Sequence, residues 1–473
     1  MARAVKRDLR LLPKRPAMTK AVSRPDSAPI TLRVPCMSSD NPTETYDPLT
    51  PVSDARRTLS GRDAFSLWFS LGIGLLVLQG GALLSPGLSL AQALIAIVTG
   101  SAVGAALLAL AGVAGADAGL SAIGGLRPAL GVRGAHVAAA LNVAQLVGWG
   151  AFEIVVMRDA AGTLSQKLFA WSSPWLWTVL FGVLATGLAV LGPLSFIRRF
   201  LRRWGLWVLL LGAAWMTGAL LLGHDWGAVW RRAGDGSLSL SGGIDVVVAM
   251  PLSWLPLIGD YARFGRTAKG VFRGTFIGYA LANIWFYALG AAYAMTASDM
   301  QGQLLAALAA AGGGLALVMV LIDETDNVFA DIFSAAMSTA SMVKVRIAHL
   351  AIGFGAVCTL IALFVQMDRF MNFLYMIGSV FTPLYGVFLV DHFVIRRRRV
   401  AADVRGLRGP CGFTAGFHLV AFAAWIIGVA TYHYVLNFLP SLGATLPSFA
   451  VAAFAYWALR VSFGAVDAGG NRL

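Results

Sequence analysis

The sequence predicts an all-α integral membrane protein with twelve transmembrane helices, and three observations lead to this prediction. Of the 473 residues, 58% are hydrophobic and 13% are charged, and the mean hydropathy is +0.73. Apolar runs of about 20 residues, each long enough to cross a bilayer, recur along the chain. The net charge is +14, and the basic residues cluster between these runs. Loop charges that orient membrane helices have this distribution, so nucleic acid is not an expected partner.

The apolar runs define twelve predicted spans. They cover residues 64–85, 90–112, 135–157, 172–192, 204–222, 244–261, 271–294, 310–338, 346–366, 369–394, 415–435 and 444–464. With a cytoplasmic N-terminus, the inside segments from residue 55 onward carry 23 Lys and Arg residues, whereas the outside loops carry five. This contrast predicts that both termini are cytoplasmic, as expected for a protein of a bacterial-type inner (plasma) membrane.

The ends of the chain differ in composition from the spans. Residues 1–60 are rich in Arg, Pro, Ser and Thr and lack a long apolar run, which predicts a disordered cytoplasmic tail. The composition turns from basic to acidic at Met37, so we expect Met37 to be the biological start. The alternative is a genuine basic tail at the membrane surface. The region that holds the predicted spans, residues 61–465, is followed by a short cytoplasmic C-terminus at 466–473.

Two spans contain helix-breaking residues at similar depth. The first includes VLQGGALLSPG, with Gly80 and Gly81, and the sixth includes AMPLSWLPLIGD, with Pro251 and Pro256. Interrupted helices at corresponding positions of two halves indicate an inverted repeat around a protected cavity. We therefore predict a 5+5 inverted repeat with broken helices 1 and 6, covering about 64–222 and 244–394, plus two C-terminal helices at 415–464.

The eighth span concentrates acidic residues in the stretch LIDETDNVFADIFS. Asp323, Glu324, Asn327 and Asp331 fall on one face of a helix, and apolar residues occupy the opposite side. Charged groups inside a bilayer are costly and are usually functional. The alternative is a helix that ends early and leaves the acids in a cytoplasmic loop.

The third span carries a polar stripe within LNVAQLVGWGAFEIVV. Asn142, Gln145, Trp149 and Glu153 are spaced at i, i+3, i+7 and i+11, which places them on one side of a helix. An indole can stack on a flat ring while a carboxylate one turn away binds the edge of that ring. The stripe therefore predicts a binding site for a planar molecule.

At these residues the chain resembles the nucleobase–cation–symport-1 family, the permeases for cytosine, purines, allantoin and hydantoin. Within that family it is most similar to the CytX-type permeases proposed for hydroxymethylpyrimidine, the thiamin precursor. The resemblance covers about residues 45–465. It rests on five stretches in order: LWFSLGIGLLVLQGG, GWGAFEI, GDYARFGR, TDNVFAD and PLYGVFLVDHF.

The resemblance implies a LeuT-like fold and a substrate site at specific positions. Hydantoin-transporting members hold a planar ring against the position of Trp149, and Glu153 follows one turn later. The two span-8 asparagines of the family correspond to Asn327 and Asp331. The remaining implied substrate positions are Gln79, Gly80, Gln145 and, one turn from the expected stacking position near Pro251, Trp254.

The resemblance also implies a cation site between spans 1 and 8. The family's Ser-Thr pair corresponds here to Thr325 and Asp326, so we expect sodium near these residues, with Asp323 as a further cation-coupling residue. No resident cofactor is implied. The co-transported ion is Na⁺ or H⁺, because a carboxylate can ligate sodium or carry a proton itself.

Three departures from the family pattern, at Glu153, Asp331 and Asp326, make this site more acidic. Amides match the alternating edge of an imide, whereas an aminopyrimidine edge suits a carboxyl group that shares a proton. We therefore expect a symporter for a pyrimidine, hydroxymethylpyrimidine first, working by alternating access. Cytosine or a purine is the alternative substrate.

The other expected partner is membrane lipid, and we expect the protein to be a monomer.

The sequence also leaves other classes of function to consider. A non-transporting sensor or a channel needs neither paired helix breaks nor a ring-plus-acid site at mid-membrane. An enzyme is not expected, because the sequence shows no nucleophile triad, phosphate loop or metal-ligand cluster.

Overall fold

The computed structural model describes residues 50–191, 206–296, 315–340, 342–343, 345–399 and 413–462. The described chain is almost entirely helical, as its periodicity predicts. The N-terminal tail and the last residues of the chain lie outside these ranges, so the predictions about Met37 and both termini stay predictions.

The α-helices are numbered in chain order. They are α1 Gly61–Leu71, α2 Leu75–Ala82, α3 Leu90–Ala118, α4 Ala122–Leu130, α5 Val132–Phe169, α6 Pro174–Leu191, α7 Leu206–Gly223, α8 Trp226–Arg231, α9 Leu240–Ser253, α10 Leu255–Ala262, α11 Ala268–Thr296, α12 Leu315–Ala340, α13 Ile347–Phe364, α14 Phe370–Leu389, α15 Leu419–Phe438 and α16 Thr445–Ser462.

A few short elements accompany the helices. A π-helical turn, Val390–Ile395, extends α14. A small hairpin of β1 (Phe413–Thr414) and β2 (Phe417–His418) precedes α15. Short 3₁₀ turns lie at Asp54–Arg56, Met367–Arg369 and Pro440–Leu442.

The helices correspond to the predicted spans. Eight helical segments of the described chain are long and apolar enough to cross a membrane, and the bent pair of α1 and α2 adds a ninth. The helices α7, α12 and α16 lie at the three other predicted spans. The chain is thus a multi-pass helical protein, and the total of twelve spans stays a prediction.

Two groups of helices pack around separate apolar clusters. The helices of spans 1, 2, 6 and 7 (α1, α2, α3, α9, α10 and α11) pack mainly against one another. Those of spans 3, 4, 8 and 9 (α5, α6, α12 and α13) form the second group. The broken spans belong to the first group and the acidic span 8 belongs to the second, whereas span 3 reaches both, because its Trp149 packs in the apolar cluster of the first group.

The break in span 1 is not where the sequence predicts it. Gly80 and Gly81 lie within α2, and the 60° bend falls earlier, between the end of α1 at Leu71 and Gly74. The glycine pair instead lets α2 approach span 7, because a Cβ at Gly81 would lie 2.1 Å from the backbone oxygen of Tyr287. The prediction of a broken first helix is right, and its position is wrong.

The break in span 6 lies within the predicted stretch. Helix α9 ends at Ser253 and α10 begins at Leu255, with Trp254 between them. Proline lacks an N–H, so Pro251 removes one hydrogen bond inside α9, whereas Pro256 lies in the first turn of α10, where a helix tolerates proline. The carbonyl of Ser253 accepts from Gln145 Nε2 at 2.8 Å, and that of Leu255 accepts from the Tyr385 hydroxyl at 2.5 Å.

A buried aspartate joins span 6 to the last predicted span. Asp245 of α9 is 4% exposed and accepts the backbone N–H of Ala444 and, at 3.1 Å, that of Thr445. These N–H groups stand at the start of α16, where helical N–H groups have no partner of their own. The carboxylate therefore caps α16 from another helix.

Ion pairs join spans 2 and 10 at their predicted cytoplasmic ends. Asp117 of α3 accepts two hydrogen bonds from Arg398, each 2.8 Å long, and lies 3.0 Å from His392 Nε2. Arg396 binds Asp391 at 2.6 Å and the carbonyl oxygen of Pro128 at 2.7 Å. The run Arg396–Arg399 is thus more than the topology signal that its sequence suggests.

The neighbouring arginines allow a matched test of these contacts. Arg398→Gln should lower the thermal stability of the purified protein by about 1 kcal/mol, because a bidentate but half-exposed pair is lost. Arg397→Gln removes the same charge from an exposed side chain and should leave stability unchanged. The measurement is thermal unfolding in detergent, and equal midpoints for the two variants would contradict the structural role of Arg398.

Candidate functional site

The predicted stripe of span 3 lies on the long helix α5. Asn142, Gln145, Trp149 and Glu153 fall within an arc of about 80° on its surface. All four side chains are buried, with Gln145 3%, Glu153 6% and Trp149 8% exposed. A polar stripe buried at mid-helix needs partners on neighbouring helices, and three successive turns meet three different spans.

The first of these turns meets span 6. Gln145 donates from Nε2 to the Ser253 carbonyl at 2.8 Å and to Asn142 Oδ1 at 2.9 Å. Gln145 therefore connects the second helix group to the interruption of span 6. The sequence predicts Gln145 as a site residue but gives no sign of its backbone partner.

The second turn meets span 10. The indole of Trp149 packs edge to face with Phe373, at 5.1 Å between centroids, and with Phe370, at 5.8 Å. Both phenylalanines lie in the first turn of α14. The two phenyl rings thus cover one side of the indole, and a flat ring can reach that side only if the start of α14 moves.

The third turn meets span 8. The carboxyl groups of Glu153 and Asp331 are within hydrogen-bonding distance of each other. Two carboxyl groups form a hydrogen bond only when one of them carries a proton. A proton shared by the pair is what the sequence-based hypothesis of an aminopyrimidine-binding carboxyl group requires.

Cys358 of span 9 lies behind this carboxyl pair, which the sequence does not indicate. Its thiol is buried, interacts electrostatically with both carboxyls and donates to the Val147 carbonyl at 3.4 Å. Gly150 makes the approach possible, since an added Cβ would lie 3.2 Å from Cys358 Sγ. Spans 3, 8 and 9 thus meet at the pair.

The remaining residues predicted on span 8 lie on the continuous helix α12, so the alternative of an early helix end is wrong. Asn327 is partly buried one turn before Asp331, and Glu324 is fully buried. The Thr325 hydroxyl donates to the Leu321 carbonyl at 2.5 Å, which leaves its oxygen lone pairs able to ligate a cation. The side chains of Asp323 and Asp326 lie outside the described part of the structure.

Three predicted substrate residues are not brought to the stripe by any described contact. The ring of Trp254 packs edge to face with Trp68, at 6.0 Å between centroids. A Cβ at Gly80 would lie 2.7 Å from the Tyr287 hydroxyl oxygen, so Gly80 packs on span 7. Gln79 is partly buried on α2, a helix that also touches α12.

Comparison with known proteins identifies the family. Residues 51–459 match the family described as permease for cytosine/purines, uracil, thiamine, allantoin. The chain belongs to this permease family. The predictions of a nucleobase–cation–symport-1 member and of a non-enzyme are thereby confirmed.

Curated relatives of the permease are distant but nearly full-length. A hydantoin permease of Microbacterium maritypicum is 23% identical over 80% of this chain and 85% of its own length. A purine-uracil permease of Arabidopsis thaliana is 24% identical over 90% of this chain and 79% of its own length. A putative purine-cytosine permease of Bacillus subtilis (strain 168) is 24% identical over 80% and 85%.

Solved structures establish the fold of the permease. It superposes on the inward-facing conformation of Mhp1 with a TM-score of 0.77 at 20% identity, covering 88% of this chain and 93% of Mhp1. The TM-score is 0.73 at 21% identity, with 88% and 95% covered, for the closed conformation of Mhp1 with bromovinylhydantoin bound. A sodium-coupled sialic acid symporter gives 0.58 at 13% identity, with 87% and 91% covered. The predicted LeuT-like fold is confirmed.

The carboxyl pair can be tested by two substitutions of Asp331. Asp331→Asn keeps a donor for Glu153, whereas Asp331→Leu leaves the buried carboxyl without this partner. We expect the Leu variant to be less stable than the Asn variant by about 1–3 kcal/mol, the cost of an unsatisfied buried polar group. Thermal unfolding of the two purified variants measures the difference. Equal stabilities would contradict a hydrogen bond between the two carboxyls.

Proposed function

We propose that this permease is a cation-coupled symporter that imports a planar aminopyrimidine by alternating access, with hydroxymethylpyrimidine as the first candidate. The observation that carries the proposal is the Glu153–Asp331 carboxyl pair one turn from Trp149. The names of the curated relatives, which include hydantoin, purine and uracil permeases, support a flat nitrogen heterocycle as the class of substrate.

The pair matches the edge of an aminopyrimidine chemically. That edge presents an amino group, which donates, beside a ring nitrogen, which accepts. Two carboxyl groups that share one proton offer an acceptor and a donor side by side. A carboxylate–amino hydrogen bond gains strength from the charge, so the arrangement favours this edge over the imide edge of uracil or hydantoin.

Cytosine is the second candidate, because it also presents an amino group beside a ring nitrogen. The name of the putative purine-cytosine permease favours it. The carboxyl pair alone does not distinguish the two rings, whereas their other substituents do. A non-transporting sensor or a channel has no support from the family match.

Alternating access has a physical basis in the cover over Trp149. The Phe370 and Phe373 rings close one side of the indole, and Gln145 ties the stripe to the interruption of span 6. A substrate ring on Trp149 would displace the first turn of α14. Binding therefore couples to movement of an element that a channel would not need to move.

Uptake into vesicles tests the proposal as a whole. Labelled hydroxymethylpyrimidine and cytosine are offered to vesicles with sodium and proton gradients imposed separately. Accumulation of either aminopyrimidine that depends on one of the two gradients supports the proposal. Gradient-independent equilibration, or uptake of hydantoin and uracil alone, would exclude it.

The specific role of Glu153 predicts a change in selectivity. Glu153→Gln should weaken aminopyrimidine binding by about 10- to 150-fold, because a charge-assisted hydrogen bond is lost. It should also favour uracil or hydantoin, whose edges an amide suits. Trp149→Ala should weaken the binding of all flat rings alike, because it removes the stacking surface. Binding of hydroxymethylpyrimidine, cytosine and hydantoin to both purified variants measures the effect, and equal losses for all three in Glu153→Gln would make Glu153 structural.

The cation site predicts a loss of coupling in Asp326→Asn. A carboxylate at this position can ligate sodium or carry a proton, and the amide can do neither as well. We expect uptake by the variant to lose its dependence on the ion gradient, while substrate binding at saturating cation changes less. Asp368→Asn, on an exposed acid between spans 9 and 10, is the control. Full gradient dependence in Asp326→Asn would exclude Asp326 as the coupling residue.

A further inference from the structure

The side-chain amide of Gln145 has a fixed orientation, and its oxygen has no described hydrogen-bond partner. The Ser253 carbonyl can only accept a hydrogen bond, so Gln145 must present Nε2 to it, and the orientation of the amide follows. The other branch, Oε1, is buried and has no hydrogen-bond partner among the residues that the structure describes. A buried amide oxygen without a partner costs free energy, so a donor from the substrate would be well matched there.

The position of Gln145 along α5 suggests which donor this is. Gln145 and Glu153 lie eight residues apart, or about 12 Å along the helix, with Trp149 midway. Hydrogen bonds of about 2.8 Å at both ends take up roughly half of that length. The remaining length suits one six-membered ring stacked on the indole.

We propose that Gln145 Oε1 accepts a hydrogen bond from a donor on the substrate edge that Glu153 does not bind, which in hydroxymethylpyrimidine is the hydroxyl group. This inference rests on the proposed function and adds a selectivity rule to it. The permease distinguishes a ring that carries such a hydroxyl from the same ring that carries a methyl group. Because the same amide holds the Ser253 carbonyl, the bound hydroxyl is connected directly to the interruption of span 6.

A matched pair of ligands tests the rule on the purified full-length protein. The ligands are hydroxymethylpyrimidine and its methyl analogue, in which hydrogen replaces the hydroxyl. Wild type should bind the hydroxyl form about 2- to 12-fold more tightly, the range of a neutral hydrogen bond. In Gln145→Leu this ratio should fall to about one, whatever happens to the absolute affinities.

Two further variants complete the test. Gln145→Glu, as a buried carboxylic acid, keeps one donor for the Ser253 carbonyl and one acceptor oxygen. It should keep the preference for the hydroxyl form, which maintains the test if the Leu variant does not fold. Asn437→Leu removes an exposed amide of α15 whose one described hydrogen bond goes to the His433 carbonyl of the same helix, and both ligands should bind this variant as they bind wild type.

The outcomes separate the two proposals. An equal loss of affinity for both ligands in Gln145→Leu, which would leave their ratio as in wild type, would overturn the role of Oε1. Loss of the preference for the hydroxyl form in Gln145→Glu would overturn it too. Equal binding of the two ligands by wild type would also overturn that role while the aminopyrimidine assignment stands. No binding of either ligand by wild type would overturn the proposed substrate class itself.

Discussion

The polar stripe of α5 has to find partners for its groups inside a membrane, and most of the architecture around the site follows from that requirement. Lipid offers no hydrogen bonds, so a buried donor or acceptor needs a partner within the protein or on a bound substrate. The three turns at Gln145, Trp149 and Glu153 therefore hold spans 6, 10 and 8 in turn. Span 3 is the common neighbour of the broken helix, the covering helix and the acidic helix.

This arrangement places contacts of different strength at different turns. The aromatic contacts of Trp149 with α14 are individually weak, about 0.5–1.5 kcal/mol each beyond the area that they bury, and breaking them leaves no polar group without a partner. The hydrogen bonds of Gln145 and Glu153 are directional and buried, so losing them without replacement is costly. We therefore expect the proposed site to open on the side of span 10 rather than on the sides of spans 6 and 8.

The sequence predicts the features that depend on periodicity and on charge. Hydropathy locates the helices, and the stripe spacing correctly brings Trp149 and Glu153 to one buried face of α5. It misplaces the break of span 1 because a glycine pair serves equally for a bend and for close packing, and only the contact of Gly81 with Tyr287 decides between them.

Contacts with the backbone or between distant segments leave no such pattern. The Ser253 carbonyl that holds Gln145 is invisible in any list of side chains. The sequence gives no sign that Cys358 adjoins the carboxyl pair, because that contact depends on the packing of spans 3, 8 and 9. For Arg398 the sequence indicates only topology, because its partner Asp117 lies on span 2.

The cap that Asp245 provides for α16 has a consequence for the order of assembly. The aspartate and its N–H partners are 199 and 200 residues apart in the chain. At roughly 5–20 residues per second, a ribosome needs about 10–40 s to make that stretch. During this interval span 6 has already been synthesised, with a carboxylate whose final partner does not yet exist. The last helix therefore supplies the partner that Asp245 of span 6 requires, and a chain ending after span 10 would leave that acid without its cap in the membrane.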